Sequence, residues 1–395
     1  MSGATGARLI GSITPAEVRR LAHELVLIPS HSAVGTAEVA HRLRRFLSGE
    51  GVATVVQPAA EGPHVNLLAG YPEPTDVPFL LLNGHLDTVP PPSEGRTPAV
   101  RGRLLFGRGA ADMKAGVAAM AMALVALQRG RFPLRRPVML AAVAGEEIGG
   151  LGTKALLSEV TPQTCIVGEP TRLRLVTAHK GVEWVEIVVE GRAAHASCPQ
   201  IGANSIVWAA AIVQALAELG VKWAEERTHP LLGAPTLSVG MIQGGVAPNV
   251  VPDRCWVRLD RRWLPSEDID AVLAEIRMVV ARAIRDARGV TANVRRLEET
   301  RHCRPMETRS DHPFVRALQG AAREEGLRPE LQGVPYGTDG SLFAERRVPT
   351  VVWGPGDIAQ AHGADEHVDL DEVWSAARAY LRAIVRVCAG EGRQT

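Results

Sequence analysis

Five short segments of this 395-residue chain place carboxylates and imidazoles beside glycines, where a turn can bring them to a ligand. Asn83-Gly84-His85-Leu86-Asp87 follows an apolar run, and in extended chain His85 and Asp87 point the same way. An Asp beside a ligating His is the usual support: it holds the ring and raises its basicity. Gly107-Arg108-Gly109-Ala110-Ala111-Asp112-Met113-Lys114 sets Asp112 ahead of a long run of small and apolar residues. A helix N-cap is an alternative for Asp112. A dinucleotide loop is not, because a third glycine and a later acidic residue at the right distance are missing. In Ala144-Gly145-Glu146-Glu147-Ile148-Gly149-Gly150 two adjacent carboxylates repel unless a cation or a proton lies between them. Such a pair suits a division of labour, one glutamate binding metal and the other serving as general base on an activated water. A surface acidic turn is the alternative. Val167-Gly168-Glu169-Pro170-Thr171 and Ala361-His362-Gly363-Ala364-Asp365-Glu366 complete the set, each after an apolar strand.

Each segment alone is a modest signal, and a lone histidine in the place of His362 is usually structural. Together they are expected to bring two histidines and four carboxylates to five strand ends of one sheet, where open α/β sheets bind ligands. A pair of divalent cations about 3.5–4 Å apart needs such a set. Imidazole and carboxylate without thiolate suit zinc, with cobalt or manganese as substitutes. The five cysteines, at 165, 198, 255, 303 and 388, are scattered and unpaired in sequence, which argues against both a disulfide scaffold and a thiolate site.

The elements that must position these groups change character along the chain. Thr14-Pro15-Ala16-Glu17 is a capping box that opens a helix to about Ile28. Apolar strands at 52–56, 65–68, 79–83, 138–143 and 165–167 alternate with helices at 113–128 and 151–158, the pattern of an α/β unit with a mostly parallel sheet. After about His179 the order becomes strand 183–189, helix 204–219, strands 236–242 and 255–261, helix 267–285 and strand 290–296. That is the β-α-β-β-α-β ferredoxin-like unit. The first pattern returns from Leu297 and ends in a helix over 371–388. The expectation is an α/β/α sandwich made of 1–178 and 297–395, interrupted by an inserted α+β domain at 179–296.

With 44 basic and 43 acidic residues the net charge is +1, which gives no bulk electrostatic case for nucleic acid or a membrane surface. No run of about eighteen apolar residues is free of charge, and the N-terminus shows no leader. A cytoplasmic location is the expectation.

In this order and spacing the five segments resemble the M20 metallopeptidase family, within it the acetylornithine deacetylase and succinyl-diaminopimelate desuccinylase branch. The resemblance runs from about Thr14 to Val387. It implies that His85 and Glu169 bind one metal, Glu147 and His362 the other, and Asp112 both. Glu146 would be the general base and Asp87 the support of His85. It makes the inserted domain a lid that dimerises. Gly191-Arg192-Ala193-Ala194-His195-Ala196-Ser197 matches the segment whose histidine reaches across a homodimer, which makes His195 an oxyanion donor. Asn249, in Gly245 to Pro252, would contact substrate. Asp260-Arg261-Arg262 resembles a D-x-R pattern in which Arg262 takes the substrate carboxylate, a task for a guanidinium fork. Gly337-Thr338-Asp339-Gly340 would complete that pocket. The activity implied is removal of an N-acyl group from an amino acid; a dipeptidase or carboxypeptidase of the same family is the alternative, with a dipeptide as substrate. All ligands and the base being present argues against a silent homologue.

Overall fold

A computed structural model describes residues 9–91, 97–297 and 303–389. The first eight residues, which carry much of the no-leader reading, lie outside the described residues. The chain divides into two compact units, one of 1–178, 307–333 and 338–395, the other of 179–306 and 334–337.

In the first unit, the Thr14 capping box forms as expected: Thr14 N–H donates to the Glu17 carboxylate (2.8 Å) and the Thr14 hydroxyl accepts from Glu17 N–H (3.3 Å). It opens α1 (Pro15–Leu27), which is followed by α2 (Ala37–Gly49). Strands β1 (Ala53–Pro58), β2 (Val65–Tyr71), β3 (Leu80–His85), β6 (Val138–Val143), β7 (Thr164–Val167), β8 (Leu175–His179), β15 (Met306–Glu307), β16 (Leu331–Val334) and β17 (Thr350–Val352) build one nine-stranded sheet. Its order is β1-β2-β6-β3-β7-β17-β8-β15, with β16 beside β8. The central pairs β6–β3, β3–β7 and β7–β17 are parallel, and the flanking pairs β1–β2, β2–β6 and β17–β8 are antiparallel. Every residue of β3 and β6 is buried, as strands covered on both faces require. Leu80, Leu82, Val138 and Leu140 join one core with α3 (Ala115–Gly130), α7 (Pro313–Glu324) and α9 (Leu370–Cys388). The shorter α4 (Leu151–Glu159) packs on β1, β2 and β6, and α8 (Gly340–Glu345) on β17.

A second, three-stranded sheet in this unit, β18-β5-β4, joins β4 (Ala99–Arg101), β5 (Leu104–Phe106) and β18 (His367–Asp369). It corrects one expectation. Asp112 does not follow a strand of the central sheet; it follows β5, in a wide helical turn over Ala110–Lys114 whose backbone is non-helical at Asp112 and Met113. The helix proper begins at Ala115 rather than Met113. Asp112 caps neither turn, since Gly109 starts the first and Lys114 precedes α3.

The second unit is a four-stranded antiparallel sheet, β11-β13-β9-β14, of β9 (Gly181–Glu190), β11 (Thr236–Gly244), β13 (Arg254–Trp263) and β14 (Thr291–Arg296). A two-stranded ribbon joins β10 (Ala194–His195) to β12 (Val250–Val251). Helices α5 (Ser205–Glu226) and α6 (Ile269–Ala283) cover one sheet face, closing a core of Val185, Ile187, Val257, Leu216, Trp223 and Ile276. The β-α-β-β-α-β order is the one the alternating patterns predict. The unit runs past the expected limit at 296, because Cys303 exchanges backbone hydrogen bonds with Val182 (2.7 and 3.1 Å) and Lys180 N–H donates to the Val334 carbonyl (3.2 Å).

Among the described residues, two helical stretches have the length and apolar composition to cross a membrane, Ala110–Gly130 and Ser205–Glu226. The first is wholly buried in its own unit. The second keeps an apolar face outward, with Val207 59% and Val221 60% exposed.

Candidate metal centre

Strands β3, β6 and β7 lie side by side and parallel where they end, so the segments that follow them emerge together. They carry His85, the Glu146–Glu147 turn and Glu169. Gly84 and Gly168 leave room beneath: a Cβ on either would lie 2.6 or 2.7 Å from Met113 Cε, so Met113 fills the space under the turn that presents Asp112. His362 stands after β17 in a left-handed backbone (φ 63°).

Two triads result. His85, Asp112 and Glu169 form one, and Asp112, Glu147 and His362 the other; within each, one ligand atom per residue lies within 4.8 Å of the others. Asp112 belongs to both and divides its oxygens: Oδ1 lies 2.9 Å from His85 Nε2, Oδ2 3.3 Å from His362 Nε2. His85 Nε2 is 3.7 Å from Glu169 Oε1, and His362 Nε2 is 3.0 Å from Glu147 Oε1. His85 Nδ1–H donates to the Asp87 carbonyl (2.9 Å), which leaves Nε2 as the ring nitrogen that faces the triad and that a cation would take in place of its proton. Each triad offers one imidazole and two carboxylates, with no thiolate, a donor set that fits a pair of divalent cations.

Three carboxylates packed this closely cannot all ionise without compensation. Burial, and then the Asp112 charge, push Glu169 well above the usual carboxylate range, and burial raises Glu147. Burial opposes ionisation of Asp112 too, but hydrogen bonds from His362 and His85 outweigh it and hold Asp112 below its ordinary value. The Asp112 hydrogen bond raises His362 to about 9. At His85 burial opposes the proton, yet Asp112 and its neighbours keep the ring well above its ordinary value. In the protein alone these two protons supply the positive charge that cations would supply.

Asp87 meets His85 in two ways: its carbonyl accepts the ring N–H, and its carboxylate Oδ1 lies 3.7 Å from Nδ1, at ion-pair and not hydrogen-bond distance, where its charge helps raise the ring's basicity. The carboxylate also accepts the backbone N–H groups of Glu146 and Glu147, both at 3.1 Å, and so fixes the turn that presents them. Glu146 is buried and stands outside both triads.

In the second unit, the β10–β12 ribbon brings His195 beside Asn249: His195 pairs with Val250, and Ala196 N–H donates to the Asn249 carbonyl (3.0 Å). Both side chains are exposed. Ser197 N–H donates into His195 Nδ1 (3.2 Å), which makes Nε2–H the outward donor of the neutral ring. Asp260 grips Arg262 at Nε (2.8 Å) and Nη2 (3.2 Å) and accepts the Trp184 indole N–H (2.7 Å). The neighbouring Arg261 points the other way, is fully buried, and pairs with Glu267. A Cβ at Gly337 would lie 2.3 Å from Cys303 Sγ, so only glycine fits there. Thr338, in the first unit, is buried, and its hydroxyl accepts Gly340 N–H (3.0 Å).

Sequence reasoning passed over the residues that hold the ligand loops. Asn66 accepts Ala144 N–H (3.0 Å) and donates to the Gly152 carbonyl (2.8 Å), pinning the turn of Glu146 and Glu147 from both sides. Thr153 donates to Asp339 (2.6 Å) beneath it. Arg108 pairs with Glu366 (2.5 Å) across the segments of Asp112 and His362. Arg108 and Glu366 lie in the two segments already singled out for Asp112 and His362, and their charges were the readable signal.

Comparison with known proteins bears on this geometry. The model of peptidase family M20/M25/M40 matches residues 81–386. An acetylornithine deacetylase of Myxococcus xanthus is 34% identical over 321 residues, 79% of this chain and 80% of that protein. A probable carboxypeptidase of Talaromyces marneffei is 31% identical over 358 residues, 83% of this chain and 75% of the relative. Among solved structures, an aminopeptidase PepT from Bacillus cereus superposes with a TM-score of 0.80 over 95% of this chain and 100% of its own; at 22% identity this is a likeness of fold.

Proposed function

Because this chain belongs to peptidase family M20/M25/M40, and is therefore a hydrolase of that family, we propose that it removes an N-acyl group from an amino-acid-like substrate bearing a free carboxylate, using two divalent ions, zinc in the first instance. The observation that carries the reading is the sharing of Asp112 by two triads, with a second glutamate, Glu146, outside them and next to Glu147. Ions held by His85, Asp112 and Glu169 and by Asp112, Glu147 and His362 would polarise the scissile carbonyl and acidify water. Glu146 takes the water proton and hands it to the leaving nitrogen, so the amine departs neutral. The Asp87 carboxylate keeps Glu146 at its post through the backbone. His195 presents Nε2–H to the oxyanion, in the site of a partner subunit. The outward apolar face of α5, together with Met241 and Ile242 on the edge strand β11, supports a homodimer.

Arg262 is assigned to the substrate carboxylate, pre-oriented by Asp260. Arg262→Ala is expected to raise KM about ten- to a hundredfold for acyl amino acids, the worth of one charge-assisted contact, with a smaller change in kcat. On the corresponding amino-acid amides the variant and the wild type should differ little; equal losses on both would remove the assignment.

The Talaromyces relative supports the second reading, a carboxypeptidase or dipeptidase, which uses the same centre and the same carboxylate grip. The deciding experiment is a hydrolysis screen of zinc-loaded protein against N-acetyl and N-succinyl amino acids beside a dipeptide panel, with a chelator control. Chelator-sensitive turnover of the acylated amino acids is the expected result. Turnover of dipeptides alone would move the chain to the peptidase side, and turnover indifferent to chelation would end the metal reading.

A further inference from the structure

Glu366 and Arg108 stand outside both triads, yet each is tied to the segment of a different ligand. Glu366 is buried and leads into β18, which pairs with β5. Its Oε1 accepts the backbone N–H groups of Ala111 (3.0 Å) and Asp112 (3.2 Å), and its own carbonyl accepts Gly107 N–H (3.0 Å). Its Oε2 receives Arg108 Nη1 (2.5 Å). Arg108 then donates Nη2–H to the His362 carbonyl (3.1 Å). The grip is reciprocal: the His362 segment supplies the carboxylate that holds the Asp112 backbone, and the Asp112 segment supplies the guanidinium that holds the His362 backbone. His362 itself is exposed through Asp365, in a left-handed conformation that local sterics do not favour. The ligand that most needs an outside hold receives one.

We propose that Arg108 and Glu366 are a positioning pair that fixes the Asp112-to-His362 spacing and thereby sets the affinity of the ion held by Asp112, Glu147 and His362. The inference rests on the reading of the triads as metal sites. Groups that orient ligands without touching the ion are typically worth about ten- to a hundredfold in metal affinity.

The test is calorimetric titration of metal-free protein with zinc. Wild type is expected to take up two ions; if it takes up none, the metal reading itself falls. Given two ions in wild type, Glu366→Ala is expected to weaken one of them by at least about tenfold and leave the other much closer to wild type. Glu366→Gln keeps an oxygen for the Ala111 and Asp112 amides and is expected to recover most of that affinity; the confinement of the loss to one ion, in both the Glu366 and the Arg108 variants, is the readout that a role in general packing would not produce. Arg108→Met, which leaves the amide bonds of Glu366 in place and frees only the His362 carbonyl, guards against a Glu366→Ala protein that does not fold; it too should weaken one ion. Wild-type zinc binding in Glu366→Ala or in Arg108→Met, or a Gln variant as weak as the Ala variant, would overturn the pair's role.

Discussion

Glu146→Ala is expected to lose about a hundredfold to ten-thousandfold in kcat while still binding both ions, the cost of removing a positioned general base. The separation of effects follows from the geometry. Glu146 belongs to neither triad, and the anchor of its turn is its backbone N–H on Asp87, which the substitution leaves intact. Metal content by mass spectrometry and kcat are therefore predicted to part company. A variant with both ions and near-normal turnover would falsify the base assignment. The same variant tests the homodimer. If His195 serves the partner's site, mixing Glu146→Ala with His195→Ala subunits and letting them exchange restores one intact site in each mixed dimer, about a quarter of wild-type activity in total. No recovery from subunits shown to have exchanged would place His195 in its own subunit's chemistry or in none.

Asp112→Ala is expected to behave differently, abolishing turnover and stripping the protein of both ions. Its two oxygens serve two triads, so one substitution takes a ligand from each and leaves Glu147 and Glu169 with one imidazole apiece. Loss of at least about a thousandfold in activity, with less than one ion per chain after dialysis, is the predicted outcome, since a dinuclear centre has no substitute for its shared carboxylate. Retention of two ions would show that the triads bind independently of Asp112. The metal-free wild type carries a related pH signature. A histidine whose folded pKa lies above its unfolded value stabilises the fold most below the unfolded value and ceases to do so as pH rises through the folded one. For His362 that window runs from the ordinary histidine value of 6.5 to about 9. Over it the metal-free protein should lose thermal stability while its avidity for cations grows. In Asp112→Ala, which lacks the hydrogen bond that raises His362, that pH dependence should shrink.

What the sequence disclosed and what it withheld divide by the range of the interactions. Glycine-flanked acidic and imidazole residues after apolar strands are local patterns, and His85, Glu147, Glu169 and His362 could be picked out by them. The change from continuous apolar strands to alternating ones at β9 marked the second unit for the same reason. The hold of Asp87 on two backbone N–H groups was out of reach, because the Glu146–Glu147 turn lies 59 and 60 positions away. Likewise Arg108 meets Glu366 across 258 positions. Asp112 was assigned to the central sheet because β5 is only three residues long and its partner β18 comes much later in the chain. The extension of the second unit to Met306 rests on a two-residue exchange between Cys303 and Val182, which no periodicity announces.

The chain leaves its first unit after β8 and returns to it at β15, and these two strands are neighbours in one sheet. Closing a loop costs entropy according to the length of flexible chain between its ends. Once the 179–306 stretch that makes up most of the second unit has folded, that length shrinks to the few residues joining it to β8 and β15. For a polypeptide made from its N-terminus onward, the order of events is then constrained. The second unit can be finished while the first still lacks β17, α9 and His362. The hydrolytic centre therefore switches on last, after the surface proposed for dimerisation already exists, and assembly can precede activity during synthesis.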